Sequence, residues 1–415
     1  MFGRPRAVWV VAALVLASSL GGCGAKQPGA SGGIATPPRG QPTATKRIGP
    51  PLSDEECRTF AASFEKAVLS NDLVALSDMF DWDAFLATAT AGIEVSERFK
   101  QDFATGFKHA QTQKGAVFQQ VIEAVTNGGT FKFLRVHTIK PHKRAMFRMT
   151  LPGAGFNYHD WVLARRPDGR IRGVDVYVFL SAELMSKTIR RAYLPLAAHE
   201  SRGIVAKLTG QEQEFVKHLP QLMAMSDHLK EGRFREVLDT YRQLPHGLKI
   251  DKNFLLVRFQ AAPNLGDEEY TAVIEDFRKY HPDDPCLDIL SIDTSILKKD
   301  YAKALASIDR LDKAVGGDPY LDTRRADVYL EDQKPDAAKQ AARRAIEREP
   351  NLIDAYWSLV AISLKEREFA ETLELLNILG EKFDIVIEDL DTIPDYAGFV
   401  ESPHYQQWLK ARSKE

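Results

Sequence analysis

The second half of the chain repeats itself at one spacing. Asp300-Tyr301 followed by AKAL returns 34 residues later as Lys334-Pro335 followed by DAAK, and 34 later again as Glu368-Phe369 followed by AETL. Towards the amino terminus, Asp267 opens DEEYTAVIEDF at the same spacing, and Arg233-Phe234 opens REVLDTYRQL one residue closer. His281-Pro282, Gly316-Gly317 and Glu349-Pro350 separate successive units, and Gly and Pro are the residues that stop helices. A period of this length constrains the fold more than any single motif does. Each unit is a pair of helices too small to bury its own apolar face, so neighbours must cover it and the pairs must stack.

Period and pattern resemble the tetratricopeptide repeat, a helical pair that stacks into a solenoid. Ala304 and Ala338 fall where that family places small residues between helices, and Ala326 falls at the tight spot of a first helix. Tyr329 takes the family's aromatic position, and Pro282 and Pro350 its terminal proline. Some positions depart from the pattern. Tyr270 and Thr372 stand where Ala is usual, Arg258 stands where Gly or Ala is usual, and Pro263 is expected to cut one first helix short. The resemblance implies about five repeats within residues 196–384, their first helices lining a concave groove. The residues it selects to face that groove are Leu255, Phe259, Ile289, Asp293, Tyr320, Asp327, Trp357 and Leu364. They lack the Lys and Asn set by which some relatives clamp a terminal carboxylate. The expected ligand is therefore an apolar-anchored segment of another protein, with the chain's own first domain as the rival occupant. Residues 385–415, with Tyr405, Trp408 and Leu409 at helical spacing, are expected to cap the stack.

The opening residues carry Arg4 and Arg6, then the apolar run AVWVVAALVLASSL, then small residues up to Cys23. That is the order of a secretory signal, assigned to residues 1–22. The run falls short of the roughly 20 residues a membrane span requires. Leu20-Gly21-Gly22-Cys23 resembles the lipobox of bacterial lipoproteins, which implies cleavage before Cys23 and acylation there. The mature chain is then expected to sit on a membrane without crossing it. Gly24 stands where Asp would favour the inner membrane, so the outer membrane of the cell envelope is the expected location. Residues 23–52, rich in Gly and Pro and devoid of aromatics, read as a tether reaching about 30 Å. The other cysteines, Cys57 and Cys286, lie far apart in different expected domains, and no disulfide is expected between them.

Residues 53–195 begin with helical patterning. Ser53 and Glu56 form a capping box, and Phe60, Phe64, Ala67 and Val68 follow on one stripe. A second helix is expected over DLVALSDMFDWDAFL, and a third from about Ser96 to Val125. The period then changes to that of strands: FKFLRVHTI, AMFRMTL, FNYHDWVLA and IRGVDVYVF, separated by turn residues. The fold class is therefore an α+β domain, helices then antiparallel sheet, followed by an all-α helical-repeat solenoid. The element order of the first domain resembles the cone-shaped nuclear-transport-factor-like superfamily, which includes both enzymes and non-catalytic modules. Its candidate pocket residues here are His137, His142, Tyr158, His159, Asp160, Asp175 and Tyr177. Alternation sends Tyr158 and Asp160 to one face of the sheet and His159 to the other, so they cannot all meet.

Lys plus Arg (55) nearly balances Asp plus Glu (57), which argues against a nucleic-acid partner. Zinc-helix, paired-cysteine, phosphate-loop and nucleophile-elbow motifs are missing from the sequence, and His137 and His142 lack a third ligand nearby. No catalytic residue, metal or cofactor is expected. The function read from the residues is a lipid-anchored envelope scaffold that binds another protein through its repeat groove. The alternative is small-molecule binding or proton transfer in the first domain, with the repeats positioning it.

Overall fold

The computed structural model describes residues 51–114, 117–151, 155–200, 208–282 and 284–412. The expected signal, Cys23 and nearly all of the tether lie outside the described residues. By contacts the chain divides into one unit ending at Glu269 and another beginning at Tyr270.

In the first unit, α1 (Asp54–Leu69) starts at the predicted capping box. Ser53 Oγ accepts the Glu56 N–H at 3.2 Å, and Glu56 Oε2 accepts the Ser53 N–H at 3.0 Å. The second expected helix is two, α2 (Leu73–Asp78) and α3 (Trp82–Ala89). The break has a tertiary cause. Gly173, far along the chain, accepts the Asp81 N–H at 2.8 Å and donates to the Met79 carbonyl at 2.9 Å. A Cβ at Gly173 would lie 2.9 Å from the Trp161 ring and 3.0 Å from that of Phe80, so only glycine allows this approach. Asp81 then caps α3 by accepting the Ala84 N–H at 2.9 Å. The third expected helix also divides, into α4 (Glu97–Lys114) and α5 (Gln119–Thr126), where Gln111 Oε1 accepts the Val117 N–H at 2.9 Å.

Five strands follow: β1 (Thr130–Ile139), β2 (His142–Leu151), β3 (Gly155–Arg165), β4 (Ile171–Val178) and the short β5 (Glu183–Leu184). They pair in sequence order, all antiparallel. The first four are the strands read from alternation; β5, only two residues long, has no pattern to read. One sheet face, with Ala145, Phe147, Met149, Trp161 and Leu163, shares a core with the helices. Phe64 of α1 is its hub, with ring centroids 4.5 Å from Trp161 and 5.5 Å from Phe147. This unit continues through α6 (Met185–Glu200), α7 (Gly210–Lys217), α8 (Leu219–Lys230), α9 (Phe234–Gln243), the single turn α10 (His246–Lys249) and α11 (Lys252–Ala261). Pro263 sits in the 3-10 turn that ends α11, as the sequence predicts.

Helix α12 (Asp267–Tyr280) carries the chain across the division. Then come α13 (Pro285–Leu297), α14 (Tyr301–Val315), α15 (Pro319–Glu331), α16 (Pro335–Arg348), α17 (Ile353–Lys365) and α18 (Phe369–Phe383). Their first residues form two series, 285, 319, 353 and 301, 335, 369, each advancing by 34. The turns inside the pairs repeat as well. Lys299, Gln333 and Arg367, again 34 apart, hold φ at 56°, 57° and 60°. The residue after each donates its N–H back to Ser295, Tyr329 and Ser363 respectively, at 2.8 to 2.9 Å. Small residues let the helices approach: Ala304, Ala326, Ala338, Ala341, Ala342 and Ala345 are all buried. At the far end, α19 (Ala397–Val400) and α20 (Pro403–Arg412) bring Phe399 and Trp408 into one core with Leu359, Leu375 and Leu379. Trp408 is thus a packing residue. The fold is an α+β region with an antiparallel sheet, followed by helical repeats.

Candidate functional site on the first helices of the repeats

A strict 34-residue step places equivalent side chains in rows across α13, α15 and α17. One row is Asp293, Asp327 and Ala361; one helical turn further on lies Ile296, Leu330 and Leu364; one turn back lies Ile289, Thr323 and Trp357. The Asp293 side chain keeps 43% of its surface exposed and that of Asp327 keeps 27%. Ile296, Leu330, Trp357, Ala361 and Leu364 are half-buried.

The open face is narrower than the sequence predicts. Of the eight expected groove residues, Leu255, Phe259, Ile289 and Tyr320 are buried, while Asp293, Asp327, Trp357 and Leu364 retain access to solvent. The reason is compositional. Helix α11 buries Phe254, Leu255, Leu256, Val257 and Phe259, and α13 buries Leu287, Ile289, Leu290 and Ile292. A helix apolar nearly all round, as α11 is, is enclosed on every side, whereas α13 keeps only a narrow strip with Asp293 and Ile296 open beside its buried residues. Tyr320 lies in the first turn of α15, where the Asp318 cap accepts its N–H at 3.1 Å.

The centre of the face is a residue that the family-based selection omits, Arg324. It is more than nine-tenths buried and donates from one terminal nitrogen to Asp293 and from the other to Asp327, both at 2.9 Å. Asp327 Oδ1 also accepts the Ser358 hydroxyl at 3.0 Å. One guanidinium therefore ties α13 to α15, and its carboxylate partner ties α15 to α17. The Arg324 Nε–H has no acceptor among the described residues. Burial alone would lower the Arg324 pKa, but Asp293, Asp327, Tyr320 and Asp354 outweigh it and hold it above its ordinary value. Asp327 is pushed up by burial, with Asp354 and Asp293 adding repulsion that Arg324 and Ser358 only partly offset. Burial and the Asp293 charge likewise raise the Tyr270 phenol. The sequence does carry a signal for Arg324: a charged residue where the preceding and following repeats have Leu290 and Ser358, three residues before an Asp.

Neighbouring Arg325 turns the other way. It meets Asp309, Asp312 and Asp322, and Asp322 also receives Arg344 and Arg348. That network braces α15 against α14 and α16.

On the sheet, the expected division of faces holds. Register pairs Tyr158 with Arg148 and Asp160 with Met146, whereas His159 pairs with Phe147 on the core side. Asp160 lies between His137, with Nε2 at 2.8 Å, and Arg144, which donates at 3.0 Å. Asp175 accepts the N–H groups of Val176 and Ser186 and the Ser186 hydroxyl, and burial raises its pKa. Burial lowers the His159 pKa to about 4, so its ring is neutral near pH 7. Tyr158 is fully buried against Phe156 and Phe179, Tyr177 is half-buried and His142 is exposed. These seven residues do not converge on one point. Among the described residues, no group of three or more His, Cys, Asp or Glu could hold a metal ion. Cys57 and Cys286 are both buried and not joined to each other. No described helix is long and apolar enough to cross a membrane.

No protein-family model matches the chain, and no curated protein matches it.

Proposed function

We propose that this chain is a lipid-anchored scaffold of the bacterial cell envelope, tetratricopeptide-like in its second half, that holds a partner protein and carries out no catalysis. The observation that carries the reading is the row of solvent-accessible residues on α13, α15 and α17, linked by the Arg324–Asp293, Arg324–Asp327 and Ser358–Asp327 hydrogen bonds. A surface whose polar groups are already braced loses little freedom on binding. Apolar side chains beside it, Trp357 and Leu364, are of the kind that anchor protein interfaces. The anchor is supported by the signal-like opening and the lipobox-like residues before Cys23.

Residues 24–415, immobilised and exposed to envelope extract, are expected to retain a partner that the Trp357→Ala/Leu364→Ser double variant loses. Recovery of the same proteins by both forms would remove this face as the binding surface. For the anchor, Cys23→Ser is expected to move the protein from the membrane fraction to the soluble one; unchanged membrane retention would exclude lipidation at Cys23 as its cause.

A further inference from the structure

The two edges of the antiparallel sheet are finished differently. At the β4 edge Gly173 exchanges hydrogen bonds with the Met79 carbonyl and the Asp81 N–H, the Val176 N–H goes to Asp175 Oδ1 at 2.9 Å, and Tyr177 and Val178 pair with β5. The chain's own backbone and one buried carboxylate thus cover that side. At the other edge β1 is the outermost strand, ten residues long. An edge strand turns alternate N–H and C=O groups outward, where a strand of another molecule can pair with them.

Two features interrupt that edge near its middle. Glu65 of α1, its side chain only 17% exposed, reaches β1 and accepts the Phe133 N–H at 2.8 Å, while Lys132 holds its other oxygen at 3.1 Å. Next to it the register with β2 slips between Phe133 and Arg135, so Leu134 falls outside the pairing. A bulge of this kind bends the strand and resets which groups face outward. Beyond it only residues 135–139 remain before the turn at Lys140 and Pro141, a short stretch for pairing by itself.

We infer that Glu65 closes β1 to strand addition and so keeps this sheet from joining that of a second copy of the chain. Two identical edges can pair antiparallel about a two-fold axis, which makes a second copy the occupant that an open β1 would take. An incoming strand has to displace the carboxylate from the Phe133 N–H, and that leaves a mostly buried charge with one donor fewer. The device acts on the sheet-bearing unit and does not depend on the partner-binding face of the repeats. Copies anchored on one membrane would meet often, so a closed edge matters most there.

The test compares residues 24–415 carrying Glu65→Ala or Glu65→Gln with the unsubstituted protein, by sedimentation over a series of concentrations. Glu65→Ala removes the acceptor and is expected to strengthen self-association about tenfold. Glu65→Gln keeps an oxygen at the same reach and is expected to stay close to the unsubstituted protein. Hydrogen exchange in the associated Glu65→Ala form should slow along β1 and not on α13, α15 or α17. Unchanged association of a folded Glu65→Ala, equal association of the two variants, or protection gained away from β1 overturns the inference. If Glu65→Ala does not fold, Glu65→Asp, one methylene too short to hold the Phe133 N–H in the same way, takes its place with the same expectations. In the unsubstituted protein the Phe133 amide should exchange slowly although it lies on an edge strand, and rapid exchange there also overturns the inference.

Discussion

The sheet-bearing unit and the 34-residue helical run are held together over different distances along the chain. In the first, Phe64 near the start packs on Phe118, Phe131, Phe147 and Trp161, so one ring joins a helix, a loop and three strands. In the second, side-chain ties join each repeat to the next: Arg324 to Asp293 and Ser358 to Asp327 each span 31 residues, and Lys339 meets Glu368 and Glu371 on the next pair. The difference teaches where change is tolerated. A core assembled from distant segments forms all at once, whereas a run of neighbour contacts can be edited at one repeat while the others persist. A recognition face is more easily varied on the second kind of structure.

The contrast can be broken most forcefully at Phe64. Phe64→Ala is expected to cost about 3–5 kcal/mol, with sheet and helix signals of that unit lost together in denaturant. Separate transitions for sheet and helices would contradict a single core. A smaller effect comes from His159, whose folded pKa of about 4 lies below its ordinary 6.5. The unfolded chain therefore takes up a proton that the folded core resists. The neutral ring's contribution is complete above pH 6.5, declines as pH falls through that value, and stops declining below about 4, for a total of roughly 3 kcal/mol. Urea midpoints at pH 7 and 4.5 should differ less in His159→Gln; an unchanged difference would show that His159 is not the group responsible. The smallest effect tests the repeats. Gln333 holds φ at 57° in the turn of one pair, so Gln333→Gly is expected to stabilise by about 0.5–1 kcal/mol. Hydrogen exchange should confine the gain to α15, α16 and their neighbours, and a loss of stability would mean that the left-handed turn is not strained.

What could be read from the residues follows the same division between local and distant causes. The Ser53–Glu56 cap, the four long strands and the 34-residue step are written in adjacent or regularly spaced residues, and all are present. The breaks at Phe80–Asp81 and at Val117–Phe118 were hidden in apparently continuous helical patterns. The first depends on Gly173, and the second lies where Gln111 holds the backbone of Val117. Periodicity also identifies which residues share a face without saying whether that face is covered. Asp293, Asp327, Trp357 and Leu364 keep access to solvent; Leu255, Phe259, Ile289 and Tyr320 do not. Arg324 escapes a selection by groove position because it lies three residues before Asp327, beside the selected row.

The claim that the first-helix face is where a partner sits can be tested inside the cell by photocrosslinking. A benzoylphenylalanine at position 357 or 364 is expected to trap one and the same protein, while the same probe at Gln340, exposed on α16, traps none of it. Equal trapping from position 340, or no adduct from 357 and 364 under conditions where the chain is anchored and folded, would contradict the account.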